Sequence, residues 1–253
     1  MKQSLPWKSY LQKAAAVLFW IAVWQFASIR IGKEVLLASP LRVCETLFFL
    51  IRQSDFWQTI LSSFGRIAGG FLSATLIGVV MAVAASKYDL IRLLLGVPMH
   101  LIKAVPVASF IILVLLWAGS RTLSVVISFL MVVPVIYTNT LQGIRQTDKK
   151  MLEMANVFRF RWRHTVRMIY LPDVLPYFSG ACSVGMGLAF KSGIAAEVIG
   201  LPTGSIGEKL YQAKIILSTG EVLAWTAVIV LVSLLFERAV NALLRLLQRR
   251  IDG

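Results

Sequence analysis

The 253-residue chain is 58% hydrophobic and 15% charged, with a formal net charge of +14. Soluble domains average about 45–50% apolar and about 25% charged residues, so this composition excludes an ordinary soluble fold and indicates a membrane-embedded one. The basic excess is spread by loop instead of gathered on one soluble face, which argues against a nucleic-acid partner.

Uncharged runs lie between Lys13 and Arg30, Arg66 and Lys87, Lys103 and Arg121, Arg121 and Arg145, Asp173 and Lys191, and Glu221 and Glu237. A membrane-crossing helix needs about 20 predominantly apolar residues, and flanking charges can snorkel to the headgroups, so six spans are expected in an all-α polytopic fold. Lys2, Lys8 and Lys13 precede the first run; Lys87 and Arg92 separate the second and third; Arg238, Arg245, Arg249 and Arg250 follow the sixth. The positive-inside rule makes these segments and the long basic loop after the fourth run cytoplasmic, with both termini inside.

The first run, "AAAVLFWIAVWQFAS", is bulky to its end and lacks a clean A-x-A site, so it reads as a retained anchor and not a cleaved leader. Trp20, Trp24 and Phe26 fit interfacial anchoring. The next stretch repeats apolar residues at Val43, Leu47, Leu50 and Ile51, a helical spacing for a helix lying on the outer surface. In the second run, Gly65, Gly69, Gly70, Ala74 and Gly78 recur about one turn apart, a small-residue stripe for close helix approach.

Pro98 and Pro106 are expected to kink or break the third span. Pro134 and the polar group Tyr137, Thr138, Asn139 and Thr140 belong to the fourth, with the polar side facing the bundle. No repeat, linker or second domain is evident, so residues 1–253 read as a single transmembrane domain. Cys44 and Cys182 lack disulfide or metal spacing and read as packing residues. His100 and His164 have no partner at metal or triad spacing. No HExxH or GxSxG is present, and "GLPTGSIGEK" lacks the G-K-[ST] ending of a phosphate loop. Any nucleotide would bind another chain.

The most informative stretch is "MLEMANVFRFRWRHTVRMIYLPDVLPYF", residues 151–178. Connections in helical bundles usually take about 2 to 8 residues, so a basic inner loop of this length implies a task. Leu152, Met154, Ala155 and Phe158, then Trp162, Val166, Ile169 and Tyr170, follow helical spacing on either side of a polar break. Two short helices with one exposed face fit; an anchor on anionic lipid is the bland alternative.

This segment resembles the EAA loop of binding-protein-dependent ABC importer permeases, E-A-A, three residues, G, nine residues, then I-x-L-P. Glu153, Met154 and Ala155 stand at the triplet, Arg159 at the glycine, and Ile169, Leu171 and Pro172 at the end. The resemblance implies a type I importer permease fold with a coupling loop at about residues 145–172 whose helix docks on a cytoplasmic ATPase. Arginine reaches φ > 0 only at a cost of about 1 kcal/mol or more, so continuous helix at Arg159 is the alternative to a turn.

The likeness covers nearly the whole chain and is greatest for the nitrate, sulfonate and taurine branch, whose fifth span often ends W-K-x-x-x-A-A-E. Phe190, Lys191, Ala195, Ala196 and Glu197 stand in those places. Lys191, Glu197 and Asn139 are candidate pathway residues; on its own physics, Lys191 could equally snorkel and Glu197 cap the external segment. The resemblance further implies an ATPase dimer carrying ATP and Mg on separate chains, an extracytoplasmic binding protein and a second permease copy in the cell membrane. It implies no cofactor on this chain. The expected cargo is a small anion, with a vitamin or pyrimidine precursor as the alternative. A secondary transporter or channel would need an embedded charge constellation or inverted repeats, and neither is evident. An intramembrane enzyme would need a nucleophile with a nearby base.

Overall fold

The structure, a computed structural model, describes residues 6–252, with side chains from residue 11 through Leu246 and at Gln248. Lys2 therefore lies outside the described residues, as do the side chains of Lys8, Arg249 and Arg250. The order is α1 (Pro6–Ile31), α2 (Pro40–Ile51), α3 (Ser54–Lys87), α4 (Asp89–Ala104), α5 (Val107–Gln146), α6 (Lys149–Val157), α7 (Trp162–Thr165), a π-helical turn (Val166–Tyr170), α8 (Leu171–Gly200), α9 (Ile206–Ile215) and α10 (Thr219–Asp252). No strand occurs among the described residues.

Five helices are long and apolar enough to cross a membrane, over Leu11–Ile31, Ser54–Lys87, Val107–Gln146, Trp162–Gly200 and Thr219–Leu246. The expected third run and the fourth fall largely within one 40-residue stretch, α5. At about 1.5 Å per residue that stretch is about twice the thickness of a bilayer's hydrocarbon core. It is not one rod: Gly119 breaks it at φ 69° and ψ 178°, a conformation essentially closed to any residue with a Cβ. Pro106 stands just before α5, where its missing N–H costs nothing, whereas Pro98 is carried inside α4.

The chain divides into two compact units. The smaller holds residues 1–58 and 209–228. There, Ser39 caps α2 by accepting from Arg42 N–H at 3.2 Å, with Pro40 in the first turn. Val43 and Leu50 are buried and Leu47 half-buried, while Ile51, expected on the same face, is exposed. Trp24 Nε1 donates to Ala38 O at 3.1 Å, and Phe56 packs on Trp225 at 5.1 Å between centroids. Cys182 of the larger unit is buried as expected of a packing residue; Cys44 is exposed.

The larger unit holds residues 59–208 and 229–253. Its core lies where α3, α5 and α8 meet at small residues. A Cβ on Gly70 would come within 2.5 Å of Val125 O, one on Gly78 within 3.0 Å of Ile136, and one on Gly193 within 2.6 Å of Ser128 Oγ. Ala74 is fully buried between Gly70 and Gly78. The stripe is therefore shorter than its sequence pattern: Gly65 and Gly69 are exposed with open space around them. Phe64, Phe71 and Phe190 gather around Phe236 at 5.3, 5.6 and 5.8 Å. Tyr137 and Thr140 are buried, as the polar group on α5 requires.

Candidate functional site

The loop between α5 and α8 is built from local chemistry. Asp148 caps α6 by accepting from Lys150 N–H at 2.9 Å. The helix ends after two and a half turns at Arg159, which adopts φ 52°. Phe160 N–H donates to Ala155 O at 2.9 Å and Arg159 N–H to Asn156 O at 3.1 Å. These are the two bonds of a Schellman cap, made here with arginine where glycine is usual. The continuous-helix alternative at Arg159 is thus overturned, because the bonds to Ala155 and Asn156 repay the left-handed backbone.

After the turn, Arg161 is extended and starts α7. Leu171 N–H then reaches back to Val166 O, closing the π-helical turn. Pro172 has no N–H for the ordinary bond to Met168 O, so the wide turn is relieved of one donor where the loop enters α8.

Burial divides the motif residues. Ala155 and Ile169 are buried at 2% and 6% exposure; Pro172 is half-buried and Leu171 at the surface. Glu153, Met154, Phe158 and Arg159 are exposed, and Glu153 makes no ion pair among the described residues. Met151, Met154, Val157, Phe158 and Trp162 form an uncovered apolar face, with Val157 78% and Phe158 and Trp162 each 69% exposed. Arg159, Arg161, Arg163 and Arg167 are exposed around it. The capped helix thus holds these apolar side chains outward, bordered by charge.

The candidate pathway residues are not joined by any hydrogen bond or ion pair among the described residues. Lys191 is exposed on α8. Asn139 spends its amide on Val135 O of its own helix at 2.9 Å. Glu197 is fully enclosed: Ser63 Oγ donates to Oε2 at 2.7 Å, Gly207 N–H approaches the same oxygen at 3.4 Å, and Arg66 Nε lies 3.3 Å from Oε1. The last contact is an ion pair without hydrogen-bond alignment, since both atoms lack a hydrogen-bond partner in the structure. Ser63 Oγ also accepts from Ile206 N–H at 2.9 Å, and Ser62 Oγ donates to Gly204 O. The carboxylate thus fastens the segment after α8 onto α3. Sequence reading missed Arg66 and Ser63 as its partners, although Arg66 is the sole charge between Asp55 and Lys87 and a lone charge in an apolar helix calls for a partner.

Long apolar helices packed through glycine and joined by a loop that presents a capped helix with an exposed apolar face define a polytopic membrane protein. The chain belongs to the family described as binding-protein-dependent transport system inner membrane component, which matches residues 74–253. It is similar to the putative aliphatic sulfonates transport permease SsuC of Bacillus subtilis (strain 168), at 26% identity over 91% of this chain and 83% of the relative. Similar again are the taurine permease TauC of Escherichia coli (strain K12), at 25% over 90% and 83%, and the bicarbonate permease CmpB of Synechococcus elongatus, at 26% over 94% and 89%. A crystal structure of an amino acid ABC transporter with histidines shares the fold at a TM-score of 0.51 and 20% identity, covering 76% of this chain and 90% of that one. The resemblance to importer permeases of the nitrate, sulfonate and taurine branch is borne out. The protein is a multi-pass inner-membrane transport subunit of an ABC importer.

Proposed function

We propose that this subunit forms the translocation pathway of an ATP-driven importer for a small oxyanion, of the kind the relatives' names describe: sulfonate, taurine, bicarbonate or nitrate. The observation that carries the reading is the outward apolar face of α6, with Val157 and Phe158 uncovered, in a chain of this family. That face would dock in a groove of a cytoplasmic ATPase dimer, which holds ATP and Mg; Glu153, Met154, Phe158 and Arg159 make the contact, and Ala155, Ile169, Leu171 and Pro172 set the helix against its own bundle. Closure of the ATPases would press the coupling helices inward and turn the pathway toward an extracytoplasmic binding protein, with hydrolysis resetting it. A second copy of the chain completes the pathway. Lys191 is the candidate among the three named residues that remains free to meet an anion.

Six crossings with both termini inside fit this reading. On this reading the third crossing would combine α4 with residues 107–118, and the fourth would be the remainder of α5 after Gly119. The test is gentle detergent capture of the tagged chain from its own membrane, with mass spectrometry of what co-purifies. A phosphate-loop ATPase at about one copy per permease is expected; its reproducible absence from intact, folded protein overturns the reading.

A further inference from the structure

The short strap after α8, residues 201–205, is held in place almost wholly by side chains. Leu201 N–H closes on Glu197 O at 2.9 Å, but from Pro202 to Ser205 no backbone–backbone hydrogen bond is formed among the described residues. Two residues of the strap are left-handed, Leu201 at φ 48° and Gly204 at φ 69°, the first a costly conformation for a residue with a Cβ. Pro202, Ser205 and the following Ile206 are nonetheless buried.

The clasp comes from α3. Ser62 Oγ donates to Gly204 O, and Ser63 Oγ accepts from Ile206 N–H at 2.9 Å while donating to Glu197 Oε2 at 2.7 Å. Arg66 joins the two serine contacts: Nη2 donates to Ser62 Oγ at 3.3 Å, and Nε faces Glu197 Oε1 at the same distance. The seat beyond the strap is tight, since a Cβ on Gly207 would come within 2.3 Å of Glu197 Cβ.

Two features make this clasp exchangeable. Arg66 Nε and Glu197 Oε1 are misaligned and lack a hydrogen-bond partner, and Ser124 Oγ of α5, fully enclosed beside the same carboxylate, lacks one too. The carboxylate therefore has a second hydroxyl to turn to when Arg66 withdraws toward the surface. The strap itself has no backbone ladder to break, and segments of that kind open at lower free energy than the helices flanking them. A left-handed residue held only by its surroundings is also a feature of segments that switch.

We propose that residues 201–205 form a releasable strap over the outer end of the α3–α5–α8 bundle, freed from Ser62, Ser63 and Arg66 when the partner ATPases close. Arg66 and Glu197 are then positioning residues that hold the strap shut at rest, not ligands for cargo. The inference rests on the importer reading, which requires the subunit to open outward in one state and places the strap on the outer face.

The test uses the detergent-purified full transporter carrying Cys44→Ser and Ser205→Cys, with aqueous trimethylammonium methanethiosulfonate as the probe. Cys182, buried in the same unit, reports global opening. Slow labelling is expected at rest, and trapping with ATP, Mg and vanadate should raise the rate about tenfold or more while Cys182 stays unlabelled. Ser62→Ala and Arg66→Gln, added singly, are each expected to raise the resting rate without nucleotide. Rapid labelling at rest overturns the proposal, as does a rate unchanged by trapping in protein that retains the nucleotide. A resting rate unmoved by both variants, or equal labelling of Cys182, does the same. The variant arm needs no ATPase and ATPase capture needs no strap, so the two readings fail separately.

Discussion

Arg66 and Glu197 meet at 3.3 Å between α3 and α8, with the carboxylate fully enclosed and the guanidinium side chain 19% exposed. Removing one partner of a buried pair strands the other charge, at a cost of about 3–5 kcal/mol. Arg66→Leu is therefore expected to lower the melting temperature in detergent sharply. Glu197→Gln, which can still accept from Ser63 and Gly207, is expected to cost less. The joint Arg66→Leu/Glu197→Gln variant should recover part of the loss; strict additivity in this cycle would show that the two side chains are not coupled.

Arg159 holds a left-handed backbone that glycine adopts freely. Arg159→Gly is expected to raise stability or leave it unchanged, within about 1 kcal/mol, while Arg159→Val lowers it by more, read as midpoint shifts in thermal unfolding. If valine is tolerated as well as glycine, the Schellman turn is not what ends α6.

Two glycines of α8 should respond in opposite directions to the same methyl group. Gly193→Ala would drive a Cβ to 2.6 Å from Ser128 Oγ and 2.7 Å from Ile67 Cγ1, an overpacking worth about 1–3 kcal/mol. Gly187→Ala meets nothing within 4 Å and gains helix propensity, so it is expected to be neutral or stabilising by up to about 1 kcal/mol. Equal melting points for the two variants would contradict the close approach at Gly193.

Glu153→Lys and Phe158→Asp are expected to leave membrane insertion and melting unchanged, because both side chains are exposed. Each should reduce ATPase co-purification by tenfold or more. Retained capture and undiminished ATP-driven uptake would remove the docking role from α6.

Much of this was legible in the sequence because it rests on local chemistry. The apolar runs, the surface helix before Phe56, the helical spacing around Ala155 and the I-x-L-P ending all depend on residues within a few turns. What was not legible depends on partners distant in the chain. Nothing near Glu197 shows that Ser63 and Arg66 will close around it, so its carboxylate reads equally as a pathway group or a cap. Gly65 and Gly69 match the small-residue pattern as well as Gly70 does, and only the position of α5 decides which face is used. The Arg159 turn was obscured for another reason: backbone propensity opposes it, and two cap bonds outweigh that preference.

The single-residue reversal at Gly119 leaves the two arms of α5 with no linker between them. A protease needs several residues of extended backbone to seat a substrate, and none is offered between Val107 and Gln146, where the neighbouring Arg121 is already helical. Limited trypsin treatment should therefore return this stretch as one uncut fragment, while the extended residues Phe160 and Arg161 between α6 and α7 are open to cleavage. The loop that presents the exposed face of α6 is thus itself open to nicking, as is the non-helical stretch at Lys33 between α1 and α2.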